Sequence, residues 1–296
     1  MANISIRHSI RWLPIDDEAS EATSTIVLTS PERRFVDLRI FKADLNSNLS
    51  TTTTESSLST SQNSHHLLPL SALDWAIAGT SAETPIGDDD TVTRGKWTHW
   101  IDSRVRDIDT KAESVVDEGV MCPNPDVAVG GTLEKGRMVN PSLGNGQEEM
   151  DYEEVWVPEE VLGVPGFPSL GDSFGGDGDD DEGGKEGEAK GKKCCVVLEL
   201  DTSMSSGGKG GRRRGMVVRL GQYCQALLRT GEREGDITVE RLKWNGEAER
   251  WDKVVRIGGE AEVPTDFATY FGHEATVGDK VRVGEDVWIV VEAGGL

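Results

Sequence analysis

No apolar run in this 296-residue chain approaches the roughly 20 residues that a membrane-spanning helix requires, so no transmembrane span is expected. The stretch from Met1 to Arg11 has no apolar core of the length a secretory leader needs, so an unsecreted protein is expected. Cysteine is scarce, with four residues and no CxxC spacing, and only two of the five histidines, His65 and His66, are adjacent. That pattern argues against a structural zinc site and for reduced thiols; no metal and no cofactor is expected. Positive charge is also short: 31 Lys and Arg face 53 Asp and Glu, a formal net charge of −22. Such a surface repels phosphate backbones, which disfavours a nucleic-acid partner, and it suits solubility and a basic protein partner. Finally, no amphipathic helical pattern separates the apolar segments, which argues against a βαβ fold.

What is present is strand-like. Phe35 to Phe41 alternates, with Val36, Leu38 and Ile40 on one face and Asp37 and Arg39 on the other. Further strand signals occur at Ser9–Leu13, Thr25–Thr29, Trp75–Ala78, Thr91–Ile101, Glu113–Met121, Gly136–Val139 and Tyr152–Val157. In the last hundred residues they recur at Cys194–Leu200, Gly215–Leu220, Ile237–Trp244, Trp251–Ile257, Lys280–Val283 and Val287–Val291. Asn245-Gly246 marks a hairpin, and Gln222–Arg229 is ambiguous between strand and short helix. Cys194 and Cys195 are adjacent and point to opposite faces of a strand, which predicts one in the core and one half-exposed.

Two segments break the pattern. Twelve of the eighteen residues from 47 to 64 are Ser or Thr, too little apolar area to offset ordering entropy. Residues 47–66 therefore read as a disordered loop between two strands. From 169 to 193 an Asp/Gly/Glu run reads as an extended, self-repelling linker.

Several motifs suggest chemistry and do not carry it. Gly171 to Gly175 fits a G-x-S-x-G nucleophile pattern, but no helix can begin after it. Asp177, Asp179, Asp181 and Glu188 match part of a calcium loop whose obligatory sixth-position glycine is Glu182 here. The basic loop from Gly207 to Gly215 lacks the hydroxyl residue and the helix of a phosphate loop, and reads as a hairpin tip or a docking patch for acidic chain. His99 reads as a packed, hydrogen-bonded histidine, and Asp74, Asp102, Glu153 and Glu154 as turn caps and rim residues. No catalytic residue emerges, and a non-enzymatic protein is expected. Ser47 follows Asp44 by three residues, and Ser56, Ser57, Ser59, Thr60 and Ser61 lie near Glu55. Kinases directed by upstream acidic or phosphorylated residues favour such spacing, which makes these six the candidate phosphorylation sites.

The blocks Trp75–Thr80 (Trp-Ala-Ile-Ala-Gly-Thr), Trp100–Asp102, Asp117–Gly119 and Tyr152–Trp156 are followed by Cys194–Leu200, Gly215–Leu228 and Gly278–Val291. In this order, from about Ile26 to Val291, they resemble the fungal HRI protein family. The resemblance implies two consecutive lipocalin-like barrels and no catalytic residues. It also implies a casein-kinase-I-type protein kinase as partner, and residence in cytoplasm and nucleus. The longer Ser/Thr loop, the acidic linker and the Arg-rich loop depart from the family pattern.

The expected architecture is all-β: a lipocalin-like antiparallel barrel over residues 1–168, a linker over 169–193 and a second lipocalin-like barrel over 194–296. Val36, Leu38, Ile40, Trp75, Ile77, Trp97 and Trp156 are expected inside the first barrel. Val196, Leu198, Val218, Leu220, Val287, Ile289 and Val291 are expected inside the second. Two functions follow. The chain is a partner, and a substrate, of the kinase; alternatively it carries a small apolar ligand in a cavity lined by Trp75, Trp97 and Trp156.

Overall fold

The computed structural model describes residues 2–50, 67–105, 115–126, 128–140, 143, 148–165, 191–202, 213–233 and 235–296. Eight antiparallel strands form the first unit: β1 (Asn3–Leu13), β2 (Thr23–Thr29), β3 (Arg34–Phe41), β4 (Leu73–Ile86), β5 (Asp89–Asp102), β6 (Val116–Pro123), β7 (Thr132–Val139) and β8 (Glu149–Glu159). Each pairs with the next, and β1 pairs with β8 from Ile4 against Glu159 to Leu13 against Asp151, which closes a barrel. The second unit holds β9 (Cys194–Leu200), β10 (Arg214–Leu220), β11 (Tyr223–Arg229), β12 (Ile237–Asn245), β13 (Arg250–Gly258), β14 (Lys280–Val283) and β15 (Asp286–Gly295). Their order is β13-β12-β11-β10-β9-β15-β14, a seven-stranded sheet curled into a half-barrel. The all-β architecture of two consecutive antiparallel units is thus present, the second left open between β13 and β14. No helix among the described residues is long and apolar enough to cross a membrane.

The strand signals overlap β1–β10 and β12–β15, with β1 and β7 beginning earlier than expected, and the ambiguous segment is strand β11. Two short helices were not expected. Helix α1 (Lys42–Ser50) continues from β3 and takes in the start of the Ser/Thr segment read as a loop. A π-helical turn, Phe267–Phe271, lies against the concave side of the second sheet. The hairpin at Asn245 is present but longer than a two-residue turn: Asn245 pairs with Arg250, and the Asn245 Oδ1 accepts the N–H groups of Glu247 and Ala248.

Strand β3 requires the main correction. Val36, Leu38 and Ile40 are fully buried but face outward, in one apolar cluster with Met216, Val218 and Leu227 of the second sheet. Asp37 and Arg39 face the barrel axis, where both line the cavity. The alternation was legible but its direction was not, because a second sheet covers the outer face of β2–β4. The same cover splits the set expected inside the second unit. Val196 and Leu198 lie in the concave core with Trp288 and Val290, whereas Val218 and Leu220 lie on the barrel-facing side. Val287 is buried, Ile289 is half-buried, and Val291 packs against the inter-sheet cluster. Cys194 and Cys195 are both buried, one in each cluster, because both faces of β9 are covered; all four cysteines are free.

Polar groups within this interface point across it. Gln225 Nε2 donates to the carbonyls of Ile26 (3.0 Å) and Val36 (2.9 Å), and its Oε1 accepts from Arg241 Nε at 2.7 Å. Arg241 also donates to the carbonyl of Leu38 at 2.7 Å and to Ser24 Oγ at 3.0 Å. Burial pulls the Arg241 pKa down to about 10. A buried donor without its acceptor costs about 1–3 kcal/mol, so these contacts fix the register between the units. Leu38→Ala should lower stability by about 2–5 kcal/mol. Urea unfolding followed by tryptophan emission and by far-ultraviolet dichroism should give a single shared transition in both proteins, whereas separate transitions would mean that the units are energetically independent.

Candidate functional site

The inward face of the first barrel is unusually polar. Its lower part is an ion-pair chain. Arg7 Nε meets Glu21 Oε2 at 2.6 Å and Arg7 Nη1 meets Glu154 Oε1 at 2.6 Å. Arg39 Nη1 approaches the same Glu154 oxygen at 3.3 Å, while its Nε lies 3.0 Å from Asp37 Oδ2. These side chains come from β1, β3 and β8, and from the segment before β2. Period-two geometry places alternate residues of each strand on the axis.

A second chain runs through β4, β5 and β6. Trp75 Nε1 donates to Asp102 Oδ1 at 2.8 Å, and Asp102 Oδ2 lies 2.8 Å from His99 Nδ1. His99 Nε2 lies 3.1 Å from Asp117 Oδ2. Burial opposes charge on this imidazole, but the hydrogen bond to Asp102 and the charge of Asp117, which lies close to Nε2 without hydrogen-bond alignment, outweigh it and push the pKa up to about 9. His99 is therefore an imidazolium at neutral pH. The Asp102 carboxyl is held below its usual range: burial would raise it, and the His99 and Trp75 hydrogen bonds prevail. Two guanidinium groups lie over the Trp75 ring, Arg39 at 4.8 Å and Arg104 at 4.1 Å from its centroid.

Glu134 on β7 forms a third group. Tyr152 Oη lies 2.6 Å from Oε1, and Trp156 Nε1 donates to Oε2 at 2.8 Å. Two glycines make room for this arrangement. A Cβ on Gly119 would lie 2.8 Å from Glu134 Oε1, and one on Gly136 would collide with the Tyr152 hydroxyl. Burial, reinforced by the Glu154 charge, pushes the Glu134 pKa up to about 8 despite those hydrogen bonds.

Above these groups is a cavity of about 410 Å³. Phe35, Ile77, Trp97, Met138 and Trp156 supply apolar wall, and Asp37, Arg39, His99, Asp117, Glu134 and Glu154 supply polar wall. It opens at the rim where Arg33 meets Glu83 and where Thr91 is exposed. Trp97 and Trp156 thus line it, while Trp75 sits beneath, clustered with Phe35 and Ile77. Asp37 is 4% exposed, and its Oδ1 has no hydrogen-bond partner.

The other residues singled out from sequence fall as follows. His99 is packed and hydrogen-bonded, as read. Asp102 and Glu154 are not rim residues but buried centres of the network, because barrel closure turns those strand positions inward. Asp74 pairs with Arg104, and Glu153 pairs with Arg11 and Lys135 outside the barrel. From the basic loop, Arg213 pairs with Asp286 at 2.6 Å and Arg214 donates to the Trp100 carbonyl at 2.7 Å. Ser47 belongs to α1. Ser56, Ser57, Ser59, Thr60 and Ser61, His65 and His66, the G-x-S-x-G and calcium-loop matches and the linker up to residue 190 lie outside the described residues. Among the described residues no group of three or more His, Cys, Asp or Glu is placed to hold a metal ion. Sequence reasoning missed Arg7, Asp37, Arg39 and Glu134 as site residues. The available signal was glycine in mid-strand at 119 and 136, which marks close approach of a neighbouring side chain.

Glu134 gives a pH test. Its folded pKa lies above the ordinary 4.5, so the native state keeps a proton that the unfolded chain loses first. Stability is therefore lost progressively from about pH 4.5 to about 8 and stays lost above. Glu134→Gln keeps both hydrogen-bond partners and removes that cost. In urea unfolding the variant should match the parent near pH 4 and exceed it by roughly 2–4 kcal/mol above pH 8. A variant less stable than the parent above pH 8 would mean that Glu134 is ionised and stabilising in the fold.

A family model described as Protein HRI1 matches residues 3–292. Among curated proteins no sequence relative matches. Among solved structures, the crystal structure of an uncharacterized protein, YLR301w from Saccharomyces cerevisiae, is similar, with a TM-score of 0.62 at 16% identity, and the alignment covers 99% of each chain. At that identity the likeness concerns the fold alone.

Proposed function

This chain belongs to the HRI1 protein family, and from that premise we propose that its first barrel is a non-catalytic compartment for one small molecule. The observation that carries the reading is the cavity of about 410 Å³, inside the range of roughly 300–1,000 Å³ typical of ligand sites, with an aromatic wall facing a polar one. That lining favours an amphipathic ligand over the purely apolar one expected from tryptophans alone. A wholly apolar guest would leave the Asp37 Oδ1 without a hydrogen-bond donor.

Absence of catalysis is part of the proposal. A general base must be free to accept a proton. His99 is already protonated and held between two carboxylates, and Glu134 is engaged by Tyr152 and Trp156. Native mass spectrometry of the full chain, after exposure to a cellular small-molecule extract, should show one retained ligand per chain. Thr93→Trp, which fills the cavity from β5, should abolish retention. Unchanged masses for the parent protein would remove the reading.

A second interaction, outside the barrel, belongs to the same proposal: a casein-kinase-I-type kinase binds and phosphorylates the Ser/Thr segment in cytoplasm and nucleus. Its support is the family resemblance and the acid-flanked series Ser47, Ser56, Ser57, Ser59, Thr60 and Ser61. Affinity capture with phosphosite mapping should find both the kinase and phosphate between residues 47 and 64; finding neither would end it.

A further inference from the structure

We infer that the barrel cavity receives an organic cation: a small amine whose ammonium group meets Asp37 and Asp117 while its apolar body lies against Trp97 and Trp156. The inference rests on the reading of the barrel as a binding compartment and names the chemistry of its guest.

Three observations carry it. The first is charge imbalance. Apart from the mutually paired Arg104–Asp74 and Arg33–Glu83 at the barrel ends, the described interior holds six carboxyl groups: Glu21, Asp37, Asp102, Asp117, Glu134 and Glu154. It holds only three cations, Arg7, Arg39 and His99. Burial also pushes the Asp37 pKa up against the pull of Arg39 and Arg7, as expected of a carboxyl short of positive charge; with Glu134 and Asp37 both neutral, carboxylates still outnumber cations by one. A buried charge without a partner is strongly unfavourable, so the barrel is short of positive charge.

The second is a vacant acceptor. Asp37, a cavity-lining residue only 4% exposed, has its Oδ2 taken by Arg39, while its Oδ1 is buried with no hydrogen-bond partner. A buried carboxylate oxygen needs a donor, and an ammonium group supplies both donor and charge. Asp117, also lining the cavity, has a side chain 28% exposed and can share the load from β6. The third is the aromatic wall of Phe35, Trp97 and Trp156, whose ring faces attract a cation that carboxylates alone would not discriminate from a metal. An anionic guest would meet five cavity-lining carboxyl groups with Arg33, Arg39 and His99, all three already paired, to receive it.

The test uses the full chain and three probes of one shape: 2-phenylethylamine, 2-phenylethanol and 3-phenylpropionate. Binding is read by calorimetry and by quenching of tryptophan emission. The amine should bind at least about tenfold more tightly than either counterpart. Asp37→Asn, whose amide oxygen still accepts from Arg39, should weaken the amine by about tenfold or more and leave 2-phenylethanol unchanged. Should that variant fail to fold, Asp117→Asn, at a more exposed position, is read in the same way. If the alcohol or the carboxylate binds as well as the amine, the cation assignment falls while the binding compartment stands. If none of the three binds, the assignment also falls, and retention from the extract decides the broader reading separately.

Discussion

In strand β3 the pleat sends Val36, Leu38 and Ile40 to one side and Asp37 and Arg39 to the other; whichever set meets the second sheet, the other must face the barrel axis. Full burial of one such apolar side chain contributes about 1.5–3 kcal/mol, whereas a buried ion pair is close to neutral against an apolar replacement. The apolar set therefore decides the orientation, and it takes the apolar surface between the units. The charged interior follows from that choice. This is why the closed eight-stranded barrel has an inside built of arginine, histidine and carboxylates.

The interface also reaches the site. Gln225 and Arg241 hold carbonyls of β2 and β3, while Arg214 and Arg229 donate to the carbonyls of Trp100, Asp102 and Ser103 at the end of β5. Strand β5 carries Trp97 and His99, and Asp102 closes it. The second sheet thus fixes the strand from which the aromatic wall and the imidazolium project. Hydrogen bonds of this kind each contribute modestly, about 1 kcal/mol, but they allow one register only. The two units form one body in which the open half-barrel serves as the outer wall of the closed one.

Much of this was legible in sequence. Alternation gave the strands, and the tryptophan blocks gave the family. What alternation could not give was direction. A pattern of period two says that Val36 and Asp37 face apart, and says nothing about which side is the axis. Cys194 and Cys195 misled for the same reason, since a strand covered on both faces has no exposed side. The polar site was obscured because Glu154 and Asp102 adjoin Trp and Ile in sequence and so resemble rim punctuation. Glu134 lay just before a strand read as starting at Gly136, whereas β7 begins at Thr132. The π-helical turn Phe267–Phe271 is too short to leave a periodic signal.

Methyl-directed nuclear Overhauser spectroscopy of the full chain bears most directly on the orientation of β3. The methyl groups of Val36, Leu38 and Ile40 should give cross-peaks to methyl groups of β10–β12, and none to the indole protons of Trp97 and Trp156. Cross-peaks to those indoles, with none to the second sheet, would place the apolar face on the barrel axis and contradict both the charged interior and the site built on it.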